Sequence, residues 1–397
     1  MVGAGRHQRR AIQRAQELGL RVVGVDRNPD APGLAVADIG EVVDFTDVEA
    51  VTEVGRKHRV DGVLTVSADR AVPVVAAVAE ALGLPGIGTA TAHAMTNKIA
   101  MRRLFAERGV SQPAFAALRA IRERRAALET TGLPAVLKPA DSGGQRGVFR
   151  IESLDDLEAH MHAALAESAT GEALVEAFHD GLELNGLAVA RNGQVDLLTL
   201  SDRLRPPGIG FGVGWTHLYP STLFGDTLAR TEDTVVRAIH ALGLQNGIAF
   251  PQVIVSADGE CRVVEVAARI PGGQMADLAR HAVGVDLVEV ALRQALGLDV
   301  PDEAVRRRFT QPLAIKFLTA SPGPLPTGRV VSVGSLDKVL AFPGVVQAEL
   351  YLQPGETIRP VRLDGDRRGY VIAVAETNVE ALERAEAAAR LVDVIVQ

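Results

Sequence analysis

Apolar positions in the first part of the chain follow two alternating rhythms. Arg21 to Val25 and Gly62 to Val66 are short apolar runs that read as buried strands, while Gln8 to Leu18, Val48 to His58 and Ala71 to Leu82 repeat at helical spacing. Alternation of this kind predicts a parallel sheet with crossover helices, a Rossmann-like layer. Met1-Val2 leads straight into Gly3-Ala4-Gly5, so the first strand is expected to be shorter than the usual run of about five residues. Pro85-Gly86-Ile87-Gly88 interrupts the rhythm and places a domain boundary there, giving a first domain over residues 1–88.

From Thr89 to about Gly297 the pattern predicts a helix (Lys98 to Arg108), a strand, a helix (Ile121 to Glu129) and a strand ending at Lys138. A glycine-rich loop, a strand (Val148 to Ile151) and a helix (Leu154 to Leu165) follow. Longer β segments come next, at Ala173 to Ala177, Leu182 to Ala190, Gln194 to Ser201, Gly247 to Val255 and Cys261 to Val266. A last segment over residues 300–397 carries strand signals at Leu313 to Leu318, Val345 to Leu350 and Tyr370 to Ala375, with an alanine-rich helix from Val379 to Leu391; it reads as a small α+β domain. No fixed-period repeat or low-complexity tract is visible. Loops rich in proline and glycine, Arg205 to Gly214 and Ser321 to Gly328, have the composition of lids.

With 397 residues and 47% hydrophobic content the chain can bury several cores, enough for an enzyme. A net charge of −7 with no block of like charges argues against nucleic acid or an anionic membrane as partner and leaves small molecules. The single cysteine, Cys261, has no internal disulfide partner, and no leader or apolar run of about 18 residues is present, so a cytoplasmic protein is expected. Of 42 basic side chains only Lys57, Lys98, Lys138, Lys316 and Lys338 are lysines. A lysine kept among so many arginines suits a place that needs a compact point charge on a flexible stem.

Lys98 opens the helix TNKIAMRRL and Lys138 ends the strand AVLK just before PADSGGQRG. Glycine accepts positive φ without steric penalty, so successive N–H groups of that turn can close over phosphate oxygens; an ordinary hairpin is the competing explanation. On the strand CRVVEVA, Glu265 is flanked by apolar residues and wants a partner: Gln252 on the preceding strand and Mg²⁺, or Arg269 as a plain ion pair. In LVEAFHDGLELNG, Glu176 ends one strand and Glu183 begins the next, a spacing that suits a nucleotide's amino and ribose groups and equally suits a solvated hairpin edge.

Taken in order, TNKIAMRRL, AVLKPADSGGQRG, VEAFHDGLE, HLYPS, GLQNGIAFPQVIV and VVEVAARIPGG resemble the ATP-grasp superfamily, and within it the carboxylate–amine ligases that include the L-amino-acid ligases. FPGVVQAELYLQPGETI and RRGYVIAVAETNVEAL resemble the C-terminal domain of the latter. The resemblance implies a Rossmann-like domain over residues 1–88, an ATP-grasp domain over 89–299 with a lid at about 111–175, and a C-terminal domain over 300–397. It implies ATP with Mg²⁺, or Mn²⁺ in its place, small carboxylate and amine substrates, and an acyl-phosphate route to an amide or peptide bond. A homodimer is compatible with it. Residue by residue, Lys98 and Lys138 hold phosphates, with Asp141, Ser142, Gly143, Gly144 and Gly147 in the lid loop. Glu176 and the Phe178 backbone meet adenine, Glu183 the ribose, and Gln252 and Glu265 the metal. Arg269 faces the transferred phosphoryl group, and His217, Gly272 and Gly273 lie with it at the substrate.

Three positions depart from the pattern: Gln252 replaces the usual first metal-binding acid, Ala267 stands where many relatives have asparagine, and Gly214 stands where relatives have an acid three residues before the histidine. Gly3-x-Gly5 with Asp26 imitates a dinucleotide fingerprint, but Gln8 occupies the place of the third glycine. His7, Gln8, Trp215 and Cys261 carry no functional signal of their own. A carbamoyl-phosphate-like or carboxylating ATP-grasp enzyme, a nucleotide-binding protein without ligase activity, and an NAD-dependent oxidoreductase remain as alternatives.

Overall fold

The computed structural model describes residues 1–205 and 213–397. Most of the lid expected at Arg205 to Gly214 lies outside these residues. β1 (Val23–Asp26) and β2 (Ile39–Val42) form a parallel pair. The expected strand at Gly62 to Val66 is present only as single contacts: Val2 bridges Val25, its N–H donates to the Leu64 carbonyl at 2.9 Å, and Val66 bridges Ile270. Met1 to Gly3 stand between the two runs, with Met1 and Gly3 hydrogen-bonded to Val23 and Val25, and this short segment takes the place of the first strand. Helices Val48–His58 and Val72–Leu82 share a core with these strands through Val2, Val25, Val51, Val54, Val63, Val74 and Val78, while helix Arg6–Glu17 packs through Ile12 and Ala15 against Val22 and Leu292.

β3 (Phe115–Leu118), β4 (Ala135–Pro139), β5 (Phe149–Ile151) and β6 (Ala173–Ala177) form a four-stranded sheet in the order β3-β6-β4-β5. Its apolar face is covered by helices Arg124–Thr131 and Leu154–Ala166, closing a separate core around Leu118, Leu137, Ile151, Leu157 and Met161. The glycine-rich loop is the β4–β5 hairpin connection.

β7 (Leu182–Arg191), β8 (Gln194–Leu204), β9 (Thr216–Tyr219), β10 (Gly247–Val255) and β11 (Cys261–Ala267) build the central sheet. The last segment supplies β12 (Leu313–Phe317), β13 (Gly328–Val333), β14 (Val345–Leu350), β15 (Thr357–Ile358), β16 (Gly369–Val374) and β17 (Val394–Val396). The central sheet has eight strands in the order β11-β10-β7-β8-β9-β12-β16-β14, so its ladder runs straight across residue 300; only β15-β13-β17 stand apart. Helices Thr89–Thr96, Gly225–Ala241, Met275–Val283 and Leu287–Ala295 were not expected from the apolar pattern. Among the described residues no helix is long and apolar enough to cross a membrane.

Candidate active site

Gln252 on β10 lies directly opposite Glu265 on β11 and, on its other side, opposite Asn185 on β7. Opposed residues in a ladder project to the same face. Glu265, Gln252 and Asn185 therefore form one row, a carboxylate followed by two amides, and all three line a cleft of about 420 Å³ between the central sheet and the β3–β6 sheet. A bulge follows Gln252, and Asn185 Oδ1 is buried with no hydrogen-bond partner. One carboxylate with amide oxygens suits Mg²⁺, which takes a few protein oxygens and completes its shell with substrate phosphates and water.

Asn97 caps helix Lys98–Glu107 through the Ala100 N–H at 3.0 Å, which sets Lys98 at its first turn. Lys98 Nζ donates to the Ser142 carbonyl at 2.8 Å and stands 3.8 Å from Glu265 Oε1. Lys138 Nζ pairs with Glu176 Oε2 at 2.6 Å, and the wholly buried Arg102 takes the other oxygen at 2.6 Å while donating to the Val263 and Val264 carbonyls. Burial pushes the Glu176 carboxyl up, but Arg102 and then Lys138 outweigh it and hold it down at about 2. Lys138 itself is lowered, by burial first, with Glu176 opposing and Arg102 and Lys98 adding to the effect. Glu176 is thus the well-compensated member of the cluster, and the lysine its strained one.

Several expected contacts are arranged differently. Both carboxylate oxygens of Glu176 are committed to cations, and the Phe178 N–H donates to the Pro134 carbonyl at 3.0 Å, so neither is an idle partner for a base. Glu183 is held by Arg203 at 2.6 Å and Arg205 at 2.8 Å. Arg269 does not pair with Glu265; it forms a two-pronged pair with Asp69, Nε to Oδ1 at 2.6 Å and Nη2 to Oδ2 at 2.8 Å. Burial opposes both charges, yet each raises or lowers the other in the direction that keeps the pair ionised. Ser142, Gly143 and Gly144 line the cleft, whereas Asp141 and Gly147 do not. Asp141 accepts from the Ala169 and Thr170 N–H groups and ties down the base of the loop, and a Cβ at Gly147 would stand 2.9 Å from Pro139 Cγ.

Beyond Arg269 the cleft is walled by Arg6, His7, His217, Gly272, Gly273, Phe317, Tyr351 and Arg367. Asn185 Nδ2 donates to His217 Nδ1 at 3.1 Å, which leaves the ring proton on Nε2. Burial, followed by Arg367 and Arg203, drives His217 well below its ordinary value, so it is neutral. Arg367 lies over Phe317 at 4.0 Å and donates through Nε and Nη2 to the Gly214 carbonyl at 3.1 and 2.6 Å. The surrounding protein, then Arg6 and Arg367, presses His7 down to about 4 against the pull of Glu349, with Arg269 adding to the depression. Asp69, Arg102, Asn185, Arg6, Arg203 and Arg367 escaped the sequence reading. Only Asn185, on the cleft face of its strand two residues after Glu183, left a local signal there.

Comparison with known proteins agrees with this architecture. The chain matches the ATP-binding domain of the carbamoyl-phosphate synthase L chain over residues 97–303, the ATP-grasp N-terminal domain over 12–86, and the L-amino acid ligase C-terminal domain 2 over 324–397. It is 29% identical to the formate-dependent phosphoribosylglycinamide formyltransferase of Synechococcus sp. (strain CC9605), over 100% of this chain and 96% of the relative. Among solved structures, the L-amino acid ligase from Bacillus licheniformis superimposes with a TM-score of 0.85 at 23% identity, over 98% of this chain and 96% of that one. The biotin carboxylase domain dimer of the Hydrogenobacter thermophilus 2-oxoglutarate carboxylase, solved with MgADP, ADP and bicarbonate, has a TM-score of 0.77 at 18% identity, over 99% of this chain and 89% of that one. With one of these family models covering more than half of its length, the chain belongs to the ATP-grasp carboxylate–amine ligases, enzymes that form carbon–nitrogen bonds.

Proposed function

We propose that this enzyme joins a small carboxylic acid to an amine through an acyl phosphate, in the manner of an L-amino-acid ligase. An oxygen of the acid attacks the γ-phosphorus of ATP and ADP leaves. The amine nitrogen then attacks the acyl carbon, phosphate departs with one former acid oxygen, and the amine proton passes to solvent. The observation that carries this is the convergence of Lys98, Lys138, Gln252, Glu265 and Arg269 on one cleft beneath a glycine loop. The match to the L-amino acid ligase C-terminal domain favours an organic acid over bicarbonate.

In this assignment the two lysines neutralise phosphate oxygens, and Arg269 meets the charge that develops on the transferring group, for which it must leave Asp69. Glu265 and Gln252 would hold Mg²⁺, which supplies Lewis-acid neutralisation of the β and γ oxygens when bound. The Ser142–Gly144 turn excludes water, and His217 presents Nε2–H beside Gly273, where an ideal Cβ would be 3.3 Å away. Asp141 and Gly147 support the loop and do not touch the nucleotide.

Pairwise screening of small acids and amines for ADP and phosphate release, with mass detection of the product, tests the proposal. ADP release that requires both an acid and an amine is expected, with an amide as product. Release that requires bicarbonate alone would place the chain with carboxylating enzymes, and ATP binding without release for any acid would make it a nucleotide-binding protein.

A further inference from the structure

ATP and Mg²⁺ account for the cleft from the β6–β7 hinge to Glu265, and Arg269 for the transferring phosphoryl group. Arg6, Arg367 and His217 remain. Among the described residues Arg6 has neither a side-chain hydrogen bond nor an ion pair; its guanidinium carbon stands over the Tyr351 ring, 3.7 Å from the centroid, at the cleft wall. That cation–π contact consumes no N–H donor, so the guanidinium donors stay available to an oxyanion. Arg367 spends Nε and Nη2 on the Gly214 carbonyl and Asp364, and its Nη1 faces Gly273, 3.7 Å from an ideal Cβ there.

Among the described residues the carboxylates near Arg6 and Arg367 already have cationic partners. A Cβ at Gly214 would stand 2.8 Å from Arg203 Nε and 3.2 Å from Arg367 Nη2, so guanidinium groups fill the place where an acid would project. Asp364 is held by Arg367 and Glu349 by Arg9 and Arg10, and Asp69 is paired with Arg269 until that arginine turns to the phosphoryl group. His217 is neutral and offers a donor, which repels no anion.

We infer that the acid substrate carries a second anionic group, a carboxylate or a phosphate-type group, received by Arg6 and Arg367. This rests on the ligase assignment above for which substrate lies beyond Arg269, and it narrows that assignment to diacids and phosphorylated or phosphonate-bearing acids.

Hydroxylamine as the amine isolates the acid, because it carries no anionic group of its own. With it, kcat/KM for ADP release should be at least about tenfold higher for succinate or 3-phosphonopropanoate than for butanoate or L-alanine, a difference within reach of one charge-assisted contact. The succinate and phosphonate arms tell the two anion types apart. Arg6→Gln, at an exposed position, should raise KM for the preferred dianion about tenfold with melting temperature unchanged. Calorimetry of succinate against butanoate in the presence of MgADP reads the same subsite without turnover. Selective succinate binding that Arg6→Gln abolishes, with no ADP release for any acid, would keep the subsite and remove the ligase. Butanoate or L-alanine used or bound as well as the dianions, or a preference that survives Arg6→Gln, overturns the inference.

Discussion

Arg102 can be completely buried because Glu176 takes one of its N–H groups and the Val263 and Val264 carbonyls take others, so a helix of the nucleotide-binding half is bolted to both β6 and β11. Replacing Glu176 by Gln leaves Arg102 and Lys138 buried without a counter-charge, and should cost about 3–5 kcal/mol in urea denaturation near neutral pH. The Glu176 carboxyl is depressed in the folded state, from 4.5 to about 2. Its contribution is therefore complete above the unfolded value and lost as pH falls from 4.5 through about 2. The stability gap between the wild-type protein and Glu176→Gln should narrow by about 1 kcal/mol on going from neutral to about pH 3.5; a constant gap would show that the carboxylate is not the stabilising form. At the metal row, Gln252→Glu adds a charge beside Glu265 and should lower the Mg²⁺ concentration for half-maximal rate, whereas Glu265→Ala should abolish turnover. A Mn²⁺ titration followed by electron paramagnetic resonance in the presence of ADP reads the affinity directly, and weaker binding by Gln252→Glu would count against Gln252 as a ligand.

The hairpin between β4 and β5 meets the rest of the molecule at Gly143, where a Cβ would stand 2.4 Å from Asp69 Oδ2. Asp69 is clamped by Arg269 and has little room to give. Gly143→Ala should therefore hold the loop off its seat, raising KM for ATP about tenfold with the melting temperature nearly unchanged; an unaltered KM would mean that loop closure does not use this contact. The strands and the helices with regular apolar spacing were legible: Val48–His58 and Gly247–Val255 coincide with their predicted bounds. Helix Gly225–Ala241 was missed although its buried and exposed sides separate clearly, Thr231, Thr234, Ala238 and Ala241 making up much of the buried one. Thr89–Thr96 has almost no amphipathic pattern at all. Within the site, Gln252 and Glu265 could be paired from strand order. The Arg269–Asp69 pair could not, since the partners are 200 residues apart and Asp69 sits in an unremarkable 3₁₀ turn.

On the scale of the whole molecule, the N-terminal segment brings Arg6 and Asp69, the β3–β6 sheet brings Lys138 and the glycine loop, the central strands bring Asn185, Gln252 and Glu265, and the last segment brings Arg367 and Tyr351. The proposed reaction, whose intermediate hydrolyses readily, gains from a cleft lined by all of these segments, because water competes with the amine for the activated acyl group. The central sheet running across residue 300 ties the last segment to the strands that carry Asn185, Gln252 and Glu265.

The acyl phosphate is the central claim, and transfer of heavy oxygen tests it most directly. With both acid oxygens labelled, one labelled atom should appear in the released phosphate for each amide formed, and Arg269→Ala should suppress the transfer together with turnover. Amide formed with no label in phosphate, and with label in AMP instead, would show attack at the α-phosphorus and contradict the account.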